Sequence, residues 1–174
     1  VADGNSAAPT FPKLAGQNAK YIYKQLQNFK VGTRVNALMA PMAMGLADQD
    51  MADLAEYFSQ QKASVGGAKK ELVELGQKIF RGGKKEIGLT ACSGCHGPAG
   101  KGNTYAAFPH LSGQHAEYTA NQLKMFRAAG RDDLTGDRRN NDAKPGDLGP
   151  MQMIAAKLSD KDIEALASYI QGLH

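Results

Sequence analysis

The sequence predicts an all-α protein built from two tandem copies of one helical domain. Apolar side chains recur every three or four residues in each long segment, as on one face of a helix. No stretch keeps strand-like alternation long enough to build a sheet. Most of the chain is also written twice. "FPKLAGQNAKYIYKQLQNFKVGTR" from Phe11 returns 97 residues later as "FPHLSGQHAEYTANQLKMFRAAGR" from Phe108. "MAPMAMGLADQDMADLAEYFSQQ" from Met39 returns 112 residues later as "MQMIAAKLSDKDIEALASYIQGL" from Met151. Self-similarity of this extent means duplication of one unit.

In the first copy Tyr21, Gln25, Leu26 and Phe29 fall on one helical face, and Tyr118, Gln122, Leu123 and Phe126 repeat it. A methionine-rich segment follows at Met39. The next helix is expected after Asp48 as N-cap, with Leu54, Tyr57 and Phe58 inward. Its counterpart starts after Ser159, where Ser159–Asp162 approximates a capping box and Ile163, Leu166 and Ile170 face inward. Between the copies, "QQKASVGGAKK" reads as a polar, Gly-containing linker, which places the first domain at 1–64 and the second at 65–174. A third helix, "KKELVELGQKIF", has no partner in the first copy. The second copy gains 15 residues within "DDLTGDRRNNDAKPGDLGP", whose polar, Gly/Pro-rich composition is that of a loop.

The bulk numbers fit two small domains in 174 residues. Domains below roughly 100 residues bury a modest fraction of their surface and often need a covalent or metal staple. The formal charge is +4, with 6 basic and 5 acidic side chains in the first 65 residues and 15 and 12 in the rest. The clusters "RGGKKE" and "GDRRNN" lack the interleaved aromatics of a nucleic-acid groove, which excludes a nucleic-acid partner. No apolar run approaches the roughly 20 residues of a membrane span, and no signal peptide is present, so an exported native form would have lost its leader.

The only two cysteines lie in "ACSGCHGPAG", as Cys92-x-x-Cys95-His96. C-x-x-C-H is a specific signal for c-type haem attachment. Two thiols at this spacing reach the two vinyl groups of one porphyrin edge, and the adjacent histidine falls under the iron. A redox disulfide would usually open a helix beside a strand, and none precedes this one. A zinc knuckle would need a second cysteine pair. Seven methionines and His110, His115 and His174 compete for the opposite face of the iron. Met39 and Met151 are the only methionines that pair across the repeat, which favours Met151, with Met153 as the fallback. His110 and His115 face Lys13 and Asn18 in the repeat and, like the terminal His174, are expected at the surface; a bis-histidine site would need one of the three.

Histidine plus thioether leaves no coordination site for a substrate, and soft sulfur raises the potential. That describes an electron relay. The alternative is an enzyme-associated haem: a dehydrogenase subunit, or a ligand-binding or peroxidase-like protein. A ligating histidine fixes its tautomer by donating its other N–H to a carbonyl. The Pro109 carbonyl, in the shared "FPxLxGQ", is the candidate acceptor for His96, and Pro12 its equivalent in the first copy; the alternative is that these prolines only shape a turn. Tyr118, Gln122 and Arg131, with Tyr21, Gln25 and Arg34, are candidates for haem propionates or an interdomain seam, with an ordinary helix surface as the alternative.

Across essentially the whole chain, through "DGNSAAPTFPKLAGQ", "IFRGG", "ACSGCH", "FPHLSGQHAEYTANQL" and "AAKLSDKDIEALASYIQGLH", the sequence resembles the cytochrome c4 family of dihaem electron carriers. The resemblance implies two class I cytochrome c folds, one haem c in each, both with His/Met ligation. By position it assigns Cys92, Cys95, His96 and Met151 to the second haem and Met39 to the first. It further implies a periplasmic location, redox-protein donors and acceptors, delivery towards a terminal oxidase, and room for a peripheral membrane association. The departure is the absent first C-x-x-C-H. "VADGNSAAPTFP" matches the glycine loop "PAGKGNTYAAFP", so Val1 aligns with Pro98 and the first copy lacks its leading helix and attachment segment. The expectation is a longer native polypeptide with a second motif upstream of Val1; natural loss of the first haem is the alternative.

Overall fold

The computed structural model describes residues 2–140 and 147–174; Val1 and residues 141–146, the latter within the predicted loop insertion, lie outside the described residues. Eight α-helices are described: α1 Ala19–Val31, α2 Met39–Met44, α3 Asp48–Ser59, α4 Lys70–Gly82, α5 Ser93–His96, α6 Ala116–Gly130, α7 Pro150–Ala155 and α8 Asp160–Gly172. Among the described residues only two isolated bridges, Lys84 with Leu89 and Asn103 with Phe108, have β geometry.

The repeat is visible in the packing. α1 packs on α2 and α3, and α6 packs on α7 and α8. α4 has no equivalent among the described residues of the first half; it lies against α8 and touches α5. The crossing of α4 and α8 is close because position 76 is glycine. A Cβ there would stand 2.5 Å from Tyr169 Cβ and collide with the Ala165 carbonyl.

This difference makes the halves unequal. Ile79, Phe80, Leu89, Phe126, Leu158, Ile163, Leu166 and Ile170 form one buried cluster in the second half. Ile79 and Phe80 are wholly buried, each contributing about 1.5–3 kcal/mol of apolar transfer free energy. The first half buries Ile22, Phe29, Met51 and a few alanines. Tyr57 was expected inward but is 48 % exposed, whereas its repeat mate Tyr169 is 6 % exposed. Tyr169 lies under α4, against Gly76 and the Phe80 ring, and Tyr57 has no such helix over it.

The two helix starts also differ. Ser159 caps α8 as expected: its hydroxyl accepts from the Asp162 N–H at 3.2 Å, and Asp162 accepts from the Ser159 N–H at 3.1 Å. Asp48, expected as the cap of α3, is its first helical residue instead. The cap position belongs to Ala47, whose N–H is taken by Asp50 at 2.8 Å. Asp50 therefore supplies half of a capping box from within the helix, and its negative charge suits the first turn.

The halves meet through reciprocal hydrogen bonds. Gln17 donates to the His110 carbonyl at 2.8 Å and accepts from the His110 N–H at 2.7 Å. Gln114, its repeat mate, donates to the Lys13 carbonyl at 3.0 Å and accepts from the Lys13 N–H at 2.9 Å. The Lys13 ammonium donates to Gly113 O, and His110 Nδ1 donates to Gly16 O, both at 2.9 Å. His110 and His115 are therefore half-buried seam residues, not the surface residues expected; His115 Nε2 donates to Ser6 O at 2.7 Å. The segment between α3 and α4 is tied down as well, through Asn5 to Lys62 and Ser64, Lys13 to Ser64, and Gln171 to Gly67.

Beside this lies a second reciprocal set. Arg34 donates to Gln25, Tyr118 and Gln122 and covers the Phe29 ring at 4.5 Å. Its mate is not Arg131, as the repeat predicts, but Arg139 from the insertion. Arg139 donates to Gln122, Tyr21 and Gln25 and covers the Phe126 ring at 4.6 Å. Arg131 follows directly on α6 and turns to the Ala156 and Leu158 carbonyls. The inserted loop returns a guanidinium to the vacated place, held by the Arg139 N–H on Met125 O at 3.1 Å. Burial pushes the Tyr21 phenol up, but Arg139 and Arg34 together bring it below its ordinary value.

Candidate functional site

The cysteine motif forms one helical turn. Cys92 stands at the cap of α5, Cys95 and His96 lie within it, and the His96 N–H donates to the Cys92 carbonyl at 3.0 Å. A turn of helix points the two thiols along one edge and leaves the histidine ring to project from it. Cys92 is half-buried against the second-half core, whereas Cys95 is exposed. Burial pushes the Cys92 thiol up to about 11, with Cys95 adding to the shift. Cys92 is thus the opposite of the depressed thiol of a redox nucleophile. Among the described residues no three Cys, His, Asp or Glu side chains are grouped so as to hold a small metal ion.

His96 is 6 % exposed. Its Nδ1 lies 3.1 Å from the Pro109 carbonyl oxygen, which can only accept, so Nδ1 carries the proton. Burial holds the imidazole below its ordinary pKa, partly offset by the Pro109 bond. The ring is therefore neutral at pH 7, with the Nε2 lone pair free for a metal. The backbone that presents Pro109 is a tight loop. Asn103 and Phe108 exchange N–H···O bonds of 3.1 and 2.9 Å, and the Gly102 N–H donates to the His96 carbonyl at 2.8 Å. Gly102 has φ +74°, and a Cβ there would lie 2.6 Å from both carbonyl atoms of Pro109. Only glycine lets the loop come this close. Pro12 stands at the matching place in the first half, beside the Lys13 peptide held by Gln114.

Met151 lies in the first turn of α7, and Met39 opens α2, the corresponding short helix. Met151 is partly buried and packs on the same core cluster as Cys92, with Leu111, Leu123 and Ile154. Met153 is 50 % exposed, and Met39 is half-buried. The Phe108 ring sits 6.2 Å from that of His96. These residues fit a haem: a thiol pair on one edge, a neutral buried imidazole with its tautomer fixed, and a cradle of half-covered apolar side chains that a large flat group would complete. Gln17, Gln114 and Arg139 hold the seam although no local pattern in the sequence marks them as site or seam residues. Only the repetition of "FPxLxGQ" sets the two glutamines apart; Arg139, in an insertion, has no such signal.

The sequence profile of the cytochrome c family matches residues 73–174. Cytochrome c4 of Azotobacter vinelandii is 52 % identical over 99 % of this chain and 81 % of that protein. Cytochrome c4 of Pseudomonas aeruginosa is 53 % identical, with the same shares covered. The crystal structure of reduced recombinant cytochrome c4 from Pseudomonas stutzeri superposes with a TM-score of 0.89 at 51 % identity, covering 99 % of this chain and 90 % of that one.

Proposed function

This chain belongs to the cytochrome c4 family and is a c-type cytochrome that binds haem c and carries electrons; we propose that it works as a periplasmic one-electron relay through an iron held between His96 and Met151. The observation that carries the reading is the buried His96, neutral and with Nδ1 committed to Pro109, so that Nε2 is its one available donor. Cys92 and Cys95 would hold the porphyrin by thioether bonds, and Met151 would supply the soft sulfur. Bound haem supplies the Fe(III)/Fe(II) couple. With His96 and Met151 as its ligands the iron would have no place for a substrate, and keeping both ligands in the two oxidation states would require little rearrangement. On this reading the protein has no catalytic activity of its own.

We read residues 1–64 and 65–174 as two cytochrome c-like units. Met39, at the place on α2 that Met151 takes on α7, is then the thioether ligand of a first-half haem, for which the 174 residues contain no second cysteine pair. The periplasm is favoured because c-type attachment normally takes place outside the cytoplasm, as the family implies. The partners are redox proteins, with a terminal oxidase as the proposed acceptor.

Met151→Ala tests the site. The oxidised variant should lose the methionine–iron charge-transfer band, and its potential should fall by at least a decade in equilibrium constant, about 59 mV for one electron. Ferrous wild type should resist CO and the variant should bind it. Ready CO binding by wild type, or an unchanged spectrum in Met151→Ala, would overturn the relay and favour a ligand-binding haem.

A further inference from the structure

We propose that Gln17, in the opposite half of the molecule, is a positioning residue that tunes the axial histidine through one shared peptide group. Pro109 C=O and His110 N–H belong to the same peptide unit. The oxygen end accepts from His96 Nδ1 at 3.1 Å, and the N–H end donates to Gln17 Oε1 at 2.7 Å. Gln17 Nε2 donates to the next carbonyl, His110 O, at 2.8 Å, so the amide side chain grips the segment at two points. Gln17 is itself buried, at 7 % exposure, and its Oε1 also accepts from the Asn18 N–H at 2.9 Å, which fixes its orientation.

Chained hydrogen bonds polarise one another, by roughly 10–30 % per bond in condensed-phase estimates. An acceptor on the His110 N–H draws electron density towards the Pro109 oxygen and strengthens its bond to His96. A stronger Nδ1–H···O bond makes the imidazole a better donor at Nε2, which favours the ferric state. The inference rests on His96 being the axial ligand. It goes beyond that by making the potential in one half depend on a side chain from the other.

The reciprocal geometry supplies a control. Gln114 grips the Lys13 peptide with the same two bonds, so Gln114→Met removes as many contacts from the seam as Gln17→Met and leaves the Pro109–His110 peptide alone. Both variants are made in the full haem-loaded protein. The first measurement is the His96 Nδ1–H resonance, followed by ¹⁵N-histidine NMR of the reduced form. The second is the potential of the haem on Cys92 and Cys95. Gln17→Met should move the resonance upfield and lower the ferric-to-ferrous ratio at fixed ambient potential about two- to fivefold, which is a rise of about 20–40 mV at 59 mV per decade. Gln114→Met should move neither, and Gln17→Glu, which keeps an acceptor, should restore the resonance towards wild type. Equal shifts in Gln17→Met and Gln114→Met would reduce Gln17 to a seam contact and overturn the proposal, as would no shift in Gln17→Met. A wild-type His96 resonance free of haem ring-current displacement would show that His96 is not the ligand; the inference would then fall with the site assignment, distinguishable from its own failure.

Discussion

Replacing Gly102 with alanine would strike the loop and the axial histidine together. At φ +74° an alanine costs about 1–2 kcal/mol in the left-handed region. Its methyl would also stand 2.6 Å from the Pro109 carbonyl carbon and oxygen, against an ordinary contact of roughly 3.5 Å, so that peptide must retreat by most of an ångström. Overpacking of this kind typically costs about 1–3 kcal/mol. The sum is about 2–5 kcal/mol, a large part of the 5–15 kcal/mol that holds an ordinary domain. The displaced group is the acceptor for His96, so the loss should not be confined to stability. Guanidinium unfolding of the haem-loaded protein should show a lower midpoint at unchanged slope, and the same preparation should show a displaced His96 Nδ1–H resonance. Wild-type values for both in Gly102→Ala would mean that the loop tolerates what its geometry forbids, and that Gly102 does not hold the Pro109 carbonyl in place.

Gly76→Ala should lower stability by about 1–3 kcal/mol through the α4–α8 crossing, read as a drop in the thermal midpoint, while leaving the haem spectrum unchanged. Asp162 gives a pH dependence. Burial pushes its carboxyl up, but Lys84 at 2.6 Å, the Ser159 hydroxyl and the Ser159 N–H together hold it below the ordinary carboxylate range. The stability it contributes is therefore present above the unfolded value near 3.8 and is lost as pH falls through the lower folded value. Asp162→Asn should flatten the acid limb of the stability profile below about pH 4. Arg139→Ala should loosen the seam by about 1.5–3 kcal/mol, the range for losing a buried hydrogen bond to a charged group. It should speed amide exchange on both sides of the interface, whereas Arg131→Ala should leave the first half's exchange unchanged.

The duplication, the helices and the attachment motif were legible because each is written locally, as a repeat, a period of three to four, or a fixed spacing. The Pro109 carbonyl could be anticipated as a partner for His96 because a proline offers an acceptor and no donor. Features that depend on what lies across space were not legible. Tyr57 and Tyr169 occupy the same repeat position, and only the presence of α4 over one of them separates their fates. Asp48 has the chemistry of a cap, but Asp50 two residues on already satisfies the Ala47 N–H. Arg131 aligns with Arg34 in sequence, yet the end of α6 turns it towards the α7–α8 carbonyls, and a residue from an unmatched insertion takes its role. His110 and His115 look like surface residues because their repeat mates are Lys13 and Asn18, although those mates also reach across the seam.

The lopsided core sets an order of failure. Among the described residues the large buried side chains gather around Phe80, Leu158 and Leu166 and few lie under α1 and α3, so a polypeptide of these 174 residues should fray in its amino-terminal half first under heat or denaturant. Refolding of the weaker half should then be a docking step onto the stronger one, guided by the paired glutamines and arginines.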